Sequence, residues 1–149
     1  MTRVVRLAAP ADLPAVYALR HQVFVVGQDV PADLERDEHD EARDHAVALD
    51  AGVVVGTGRL LGPAQLGRTD GVATLGRMAV ADHARRAGAG AALLATLEAR
   101  VRERGYAGIE LHAQLHARGF YERAGYQAYG LPYEEAGIPH VSMRKDLAG

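Results

Sequence analysis

Cysteine is absent from all 149 residues. Without it there is no disulfide, no thiolate nucleophile and no thiolate metal site, which excludes a secreted, stapled scaffold and every Cys-based mechanism. Long apolar runs are missing as well. Stretches such as Val53–Val55 fall far short of the ~20 residues that cross a bilayer, and the opening MTRVVRLAAPADLP lacks a signal-peptide core. A cytoplasmic protein that does not enter a membrane is therefore expected. An excess of positive charge is lacking too. The net charge is −2, with Arg, Asp and Glu interspersed, so no basic stripe is available to neutralise a phosphate backbone, and nucleic acid is a poor candidate partner.

What is present suits one domain over residues 1–149, long enough to bury a core. No repeat, low-complexity tract or linker divides it. RVVRLA reads as an opening strand, and Asp12 and Pro14 punctuate the start of a helix whose Val16, Leu19 and Val23 recur at helical spacing until the Gly27 and Pro31 breakers. An acidic connector, DLERDEHDEARD at 33–44, has two readings, a solvated loop or helix face and the lining of a site for a cationic substrate. HAVALD, a turn-like Ala51–Gly52 and VVVGTGRLL form an antiparallel hairpin.

ATLGRMAV, 73–80, is a further strand, followed by a loop of arginine and glycine and then a helix. In that helix Leu94, Leu97 and Val101 share one face with Leu93 beside them, arginines crowd the carbonyl end, and Gly105 is a natural stop. GIELHAQ alternates apolar and polar residues as a half-buried strand, parallel to the previous one if the helix is a crossover. LHARGFYERAG is a short helix, and YQAYG and HVSMRKDL supply the last strands. The class is α/β with a mixed sheet.

The chemistry starts at the helix that follows 85–90. About four N–H groups at a helix N-terminus lack intrahelical partners and carry roughly half a positive charge. Gly88 and Gly90 remove Cβ atoms where a phosphate must touch the backbone, small alanines flank them, and Arg85 and Arg86 add fork-shaped donors. A tight strand-to-helix turn with exposed arginines is the other reading. No GK dipeptide occurs, so a Walker loop is excluded, and Leu93 occupies the slot where a dinucleotide fingerprint needs a third small residue.

What remains, R-x-x-G-x-G from Arg85 to Gly90, resembles the pyrophosphate loop of the GNAT superfamily of acetyl-CoA-dependent N-acetyltransferases. FYERAGY at 120–126 is similar to that family's aromatic-Tyr-Glu-basic-x-Gly-aromatic segment, and LGRMAV to its cofactor-side strand. LRHQVFVVGQDVP, ERDEHD, LHAQ and YEEAGIPHVSMRK resemble the ElaA-like bacterial branch, so the similarity covers nearly the whole chain. Where such proteins read Val-Phe-Val-x-Glu-Gln, Gly27 stands in place of the glutamate.

The resemblance implies a GNAT fold: a mixed, mostly antiparallel sheet flanked by helices, with its central parallel strands splayed. It implies an acyltransferase in which an amine attacks the thioester of acetyl-CoA directly in a ternary complex. The pantetheine arm would bond to backbone of Met78, Ala79 and Val80, and the pyrophosphate would sit on the loop Arg85, Arg86, Ala87, Gly88, Ala89 and Gly90, with Gln114, Tyr121 and Arg123 also on the cofactor. An amide near Met78 would stabilise the oxyanion, worth roughly 3–4 kcal/mol. Tyr121 is the family position that meets the leaving thiolate; it also reads as a half-buried helix residue. The amine needs a base or a water relay. His140 leads as the catalytic base, against a structural role, with Glu134, Glu135 and His112 as further candidates. Arg20, Gln28, Asp37, His112 and Glu135 are candidate substrate contacts, with Gln22 and Asp40 weighed beside them. His112 and His116 flank a strand-to-helix junction with no third ligand apparent, so no metal is expected. The partner is a small-molecule amine, less favourably a peptide; apolar strands at sheet edges are compatible with a homodimer. The rival function is a non-catalytic acyl-CoA-binding or regulatory module, and an aminoacyl or longer-acyl transferase on the same fold is a third.

Overall fold

The computed structural model describes residues 3–35, 37, 40, 44–85 and 88–147. Seven strands form one sheet: β1 Arg3–Leu7, β2 Asp44–Asp50, β3 Val53–Leu61, β4 Val72–Val80, β5 Gly108–Gln114, β6 Gln127–Glu135 and β7 Ile138–Asp146. Their order is β1-β2-β3-β4-β5-β7-β6, and only β4 and β5 run parallel. Helix α1 covers Leu13–Arg20, α2 Ala32–Glu35, α3 Ala89–Glu103 and α4 Arg118–Arg123. The mixed, mostly antiparallel α/β architecture is as expected. Among the described residues no helix is long and apolar enough to cross a membrane.

The first helix departs from simple periodicity. After Arg20 it continues as a π-helical segment, His21–Val26, a geometry that apolar spacing does not report. The final hairpin is also longer than expected. β6 and β7 extend to a two-residue turn in which Ala136 and Gly137 both have positive φ, and β6 absorbs Pro132 in a register slip between Tyr129 and Tyr133, where a missing N–H breaks no ladder bond.

Helix α3 lies on one face of the sheet and buries Leu93, Leu94, Leu97 and Val101. It settles close because β3 carries glycines beneath it. A Cβ on Gly56 would stand 2.9 Å from Leu93 Cδ1, and one on Gly58 would stand 3.0 Å from Leu97 Cδ1 and 2.5 Å from Met78 Sδ. The buried Glu98 is matched by the Tyr126 hydroxyl at 2.9 Å and Lys145 Nζ at 3.2 Å, which fastens α3 to the far strands.

The opposite face holds a network of buried charge. Arg20 has no exposed surface, and its guanidinium bonds Glu35 and Asp40, each at 2.7 Å. Arg59 from β3 bonds Asp37 at 2.7 Å and Asp40 at 3.0 Å. Arg77 from β4 donates to the Glu35 carbonyl at 2.9 Å and pairs with Asp37 at 3.3 Å. Three acidic residues of the connector, Glu35, Asp37 and Asp40, are therefore counter-charges for three arginines of the sheet and α1, whereas Asp33 is exposed and Asp44 pairs with Arg100 at 3.1 Å. A single unpaired charge of this kind could not be buried, so the positions act as a set.

Arg77 also marks a bulge. Thr57 pairs with Ala79 while Arg59 pairs with Gly76, so β4 carries one residue more than β3, and Arg77 adopts φ 52°, strained for a side chain without glycine's freedom. Its bonds to the connector hold it there. Burial alone would raise the Asp40 carboxyl, yet hydrogen bonds from Arg20 and the Asp37 amide, with the charges of Arg20 and Arg59, hold it well below the ordinary carboxylate range. Its stabilising contribution is thus complete above the unfolded value of about 3.9 and is lost only as pH falls through the folded value. Asp40→Asn should cost about 3–5 kcal/mol in urea unfolding at pH 7, with the difference from the unaltered protein shrinking in strong acid; an unchanged midpoint would contradict the network.

Candidate active site

The parallel ladder between β4 and β5 is short. It runs from Val72↔Gly108 to Leu75↔Leu111 and then ends, although β4 continues to Val80 and β5 to Gln114. β5 stays paired with β7 throughout, to Gln114↔His140. The two central strands therefore part after Leu75 and Leu111, and the Arg77 bulge lies on the diverging arm. Between the arms, backbone of β4 from Gly76 onward has no strand partner on the β5 side.

The α3 N-terminus stands beyond the end of β4. Gly88 caps it at φ 83°, and the first bond within the helix is from the Ala92 N–H to the Gly88 carbonyl at 3.1 Å. The amides of 89–91 have no intrahelical acceptor, the condition an anion site needs. The two glycines serve different ends. Gly88 supplies the left-handed backbone and meets nothing within 4 Å, whereas a Cβ on Gly90 would come 3.2 Å from Phe120 Cζ. Gly90 thus lets α4 pack against the helix start. Gly88→Ala should destabilise the fold by about 1–2 kcal/mol in thermal or urea unfolding, and no loss would show the turn to be unstrained.

Arg86 and Ala87 lie outside the described residues. Arg85 folds back: its Nε donates to the Val80 carbonyl at 3.1 Å and its guanidinium pairs with Asp82 at 2.9 Å, so here it caps β4. Met78 is half-buried with its sulfur against Gly58, Ala79 is buried, and Val80 is half-buried. Arg123 is exposed, its guanidinium lying back over Gly119.

Tyr121 is only 7% exposed, its ring edge-on to Phe120 and Tyr126 at 5.0 and 5.9 Å. Its hydroxyl makes no hydrogen bond among the described residues, and burial pushes its pKa up to about 12. The ring is core, and the hydroxyl remains an O–H donor across the usable pH range.

On the α1 side of the sheet the polar face of β5 gathers several of the expected residues. Gln28, beyond the π segment, and Gln114 exchange hydrogen bonds at 3.1 and 2.9 Å, and His116 Nε2 reaches Gln114 Oε1 at 2.6 Å. This tie links the segment after α1 to the end of β5. His112, Glu135 and His140 also come together: Glu135 lies 3.9 Å from His112 and 3.6 Å from His140. His140 is buried, its Nδ1 bonding the Ile138 carbonyl at 2.6 Å. Arg20 is not part of this group, because it is completely buried and its guanidinium is bound to Glu35 and Asp40. Asp37 is committed to Arg59 and Arg77. Tyr133 was not legible as a site residue, yet its hydroxyl meets His112 Nδ1 at 2.5 Å and its ring stacks on His140; the register slip that turns it inward has no single-residue signature.

The acetyltransferase (GNAT) domain family matches residues 12–147. The uncharacterized N-acetyltransferase YjcF of Bacillus subtilis (strain 168) is 36% identical over 136 residues, 91% of this chain and 93% of the relative. Among solved structures, an acyl-CoA N-acyltransferase from Pseudomonas aeruginosa superposes with a TM-score of 0.82 at 32% identity, covering 97% of this chain and 99% of that one. Escherichia coli ElaA shares the fold, with a TM-score of 0.84 at 24% identity over 97% and 99% of the two chains.

Proposed function

The chain belongs to the GNAT acetyltransferase family, and from that premise we propose that it moves an acetyl group from acetyl-CoA to a primary amine of a small molecule, by direct attack in a ternary complex. The observation that carries this reading is the parting of β4 and β5 beside a helix start with free amides. An extended amide-bearing arm can bond to the open β4 backbone as a strand would, and a diphosphate suits the N–H groups of 89–91 together with the arginine-bearing loop from Arg85. Backbone supplies most of this recognition, which explains the small residues on the loop.

The Tyr121 hydroxyl serves as a donor to sulfur rather than as a titrating acid. With its pKa near 12 and a model thiol near ~8.5, complete proton transfer would be uphill by about 5 kcal/mol, whereas a hydrogen bond to developing negative charge needs no transfer. The acceptor side carries the larger demand. A lysine-like ammonium is neutral in only ~0.04% of molecules at pH 7, a deficit of ~4.6 kcal/mol, and the imidazoles and carboxylates on the β5 face supply the groups able to meet it.

Incubation with acetyl-CoA and a panel of polyamines, amino sugars, amino acids and lysyl peptides should release free thiol with at least one amine. Tyr121→Phe should then lower kcat by ~100-fold while leaving KM for acetyl-CoA nearly unchanged. Any alkaline limb of kcat below pH 10 should survive that substitution, because the hydroxyl does not titrate there. Tight CoA binding with no thiol release across the panel would instead favour a non-catalytic acyl-CoA-binding module.

A further inference from the structure

His112 is the first polar-face residue of β5 beyond the last rung shared with β4, Leu75↔Leu111, so it stands where the cleft opens. Its side chain is 39% exposed. Each ring nitrogen has a defined neighbour. Nδ1 lies 2.5 Å from the Tyr133 hydroxyl, with Glu135 Oε1 at 3.9 Å; Nε2 faces Glu110 Oε2 at 3.8 Å.

These neighbours set the direction of the row. Carboxylates stand at 3.8 and 3.9 Å from the two nitrogens, so the Tyr133 hydroxyl at 2.5 Å from Nδ1 distinguishes them: with that O–H donating to Nδ1, the neutral ring carries its hydrogen on Nε2, facing Glu110. Glu110 is fixed in turn by Arg68 at 2.9 Å and by the Tyr129 hydroxyl. Tyr133 is fixed by His140, stacked on it at 6.1 Å and 23°, and Ser142 interacts with both Tyr129 and Tyr133. His140, buried and held by the Ile138 carbonyl, is in this arrangement a support for Tyr133.

Resting on the acetyl-transfer reading above, we propose that Tyr133 and His112, with Glu110 orienting the imidazole, form a proton relay that takes the acceptor's ammonium proton out of the cleft. The ammonium N–H bond breaks with its electron pair staying on nitrogen, and the proton passes to the Tyr133 oxygen as the phenolic proton passes to His112 Nδ1. Tyrosine is left neutral and His112 becomes an imidazolium flanked by the carboxylates of Glu110 and Glu135. Of the ammonium's three protons, one leaves by this route to solvent, one goes to the departing thiolate and one stays on the amide. His112 and Tyr133 are the proton-handling groups, and Glu110 and His140 are positioning residues.

Two measurements decide the relay. In the first, imidazole nitrogen resonances of 15N-labelled protein, assigned by His112→Gln, should show His112 in the Nε2–H form with a hydrogen-bonded Nδ1. Tyr133→Phe should move the Nδ1 signal to that of a free lone pair. An Nδ1–H tautomer, or a ring indifferent to Tyr133→Phe, overturns the proposal without reference to turnover. In the second, with an amine the unaltered protein acetylates, His112→Gln should lower kcat/KM about 100-fold at pH 7 and remove the acid limb. That deficit should shrink toward pH 10, as the free amine becomes abundant in solution; damage to the fold alone would not be relieved by pH. Wild-type acid limbs in both His112→Gln and Tyr133→Phe refute the relay while leaving acetyl transfer standing. No thiol release from the unaltered protein with any amine counts against acetyl transfer, and the tautomer then decides the relay geometry alone.

Discussion

Everything in this molecule turns on two neighbouring strands that stop bonding to each other. A parallel pair buried in the middle of a sheet ordinarily continues its ladder, because unpaired backbone groups are costly away from water. Here β4 and β5 share only the rungs from Val72↔Gly108 to Leu75↔Leu111. The one-residue excess on β4 at Arg77 bends that strand at the point of parting, and the bend is held by the carbonyl and carboxylate groups of the acidic connector. The charged network that looks like a stability device is therefore also a shaping device. It joins Arg20, Arg59 and Arg77 to a connector that passes over the same face.

The glycines complete the geometry from the other face. Gly56 and Gly58 let Leu93 and Leu97 of α3 sit directly on β3, and Gly58 gives room to the Met78 sulfur beside the bulge. Packing on one face and ion pairing on the other thus meet at the same stretch of β4. Gly88 then turns the chain so that the α3 amides stand beyond the strand's end, and Phe120 against Gly90 fixes α4, with Tyr121, beside them.

Much of this was legible in the sequence, and the reasons differ by feature. The strand, glycine loop and helix from 73 to 105 announced themselves because hydrophobic period, loop chemistry and stop signal agree. The family followed from several ordered motifs rather than from the loop alone. The connector misled because charge spacing cannot say which carboxylates face arginines far away in the chain; Arg20 and Arg59 are 39 residues apart by number yet share Asp40. For the same reason Arg20 read as a surface contact and is fully buried. The Arg77 bulge, the π-helical turn at 21–26 and the slip that brings Tyr133 to His112 are properties of pairing register, which composition does not carry.

On the proposed function, the opened backbone of β4 and the amides at the start of α3 together hold the coenzyme. Amide hydrogen exchange with and without CoA tests it most directly. Exchange should slow in two segments, residues 76–80 and 88–92, upon CoA addition. Bound CoA that leaves both segments at their free rates, or that protects only surfaces away from the parting strands, would contradict it.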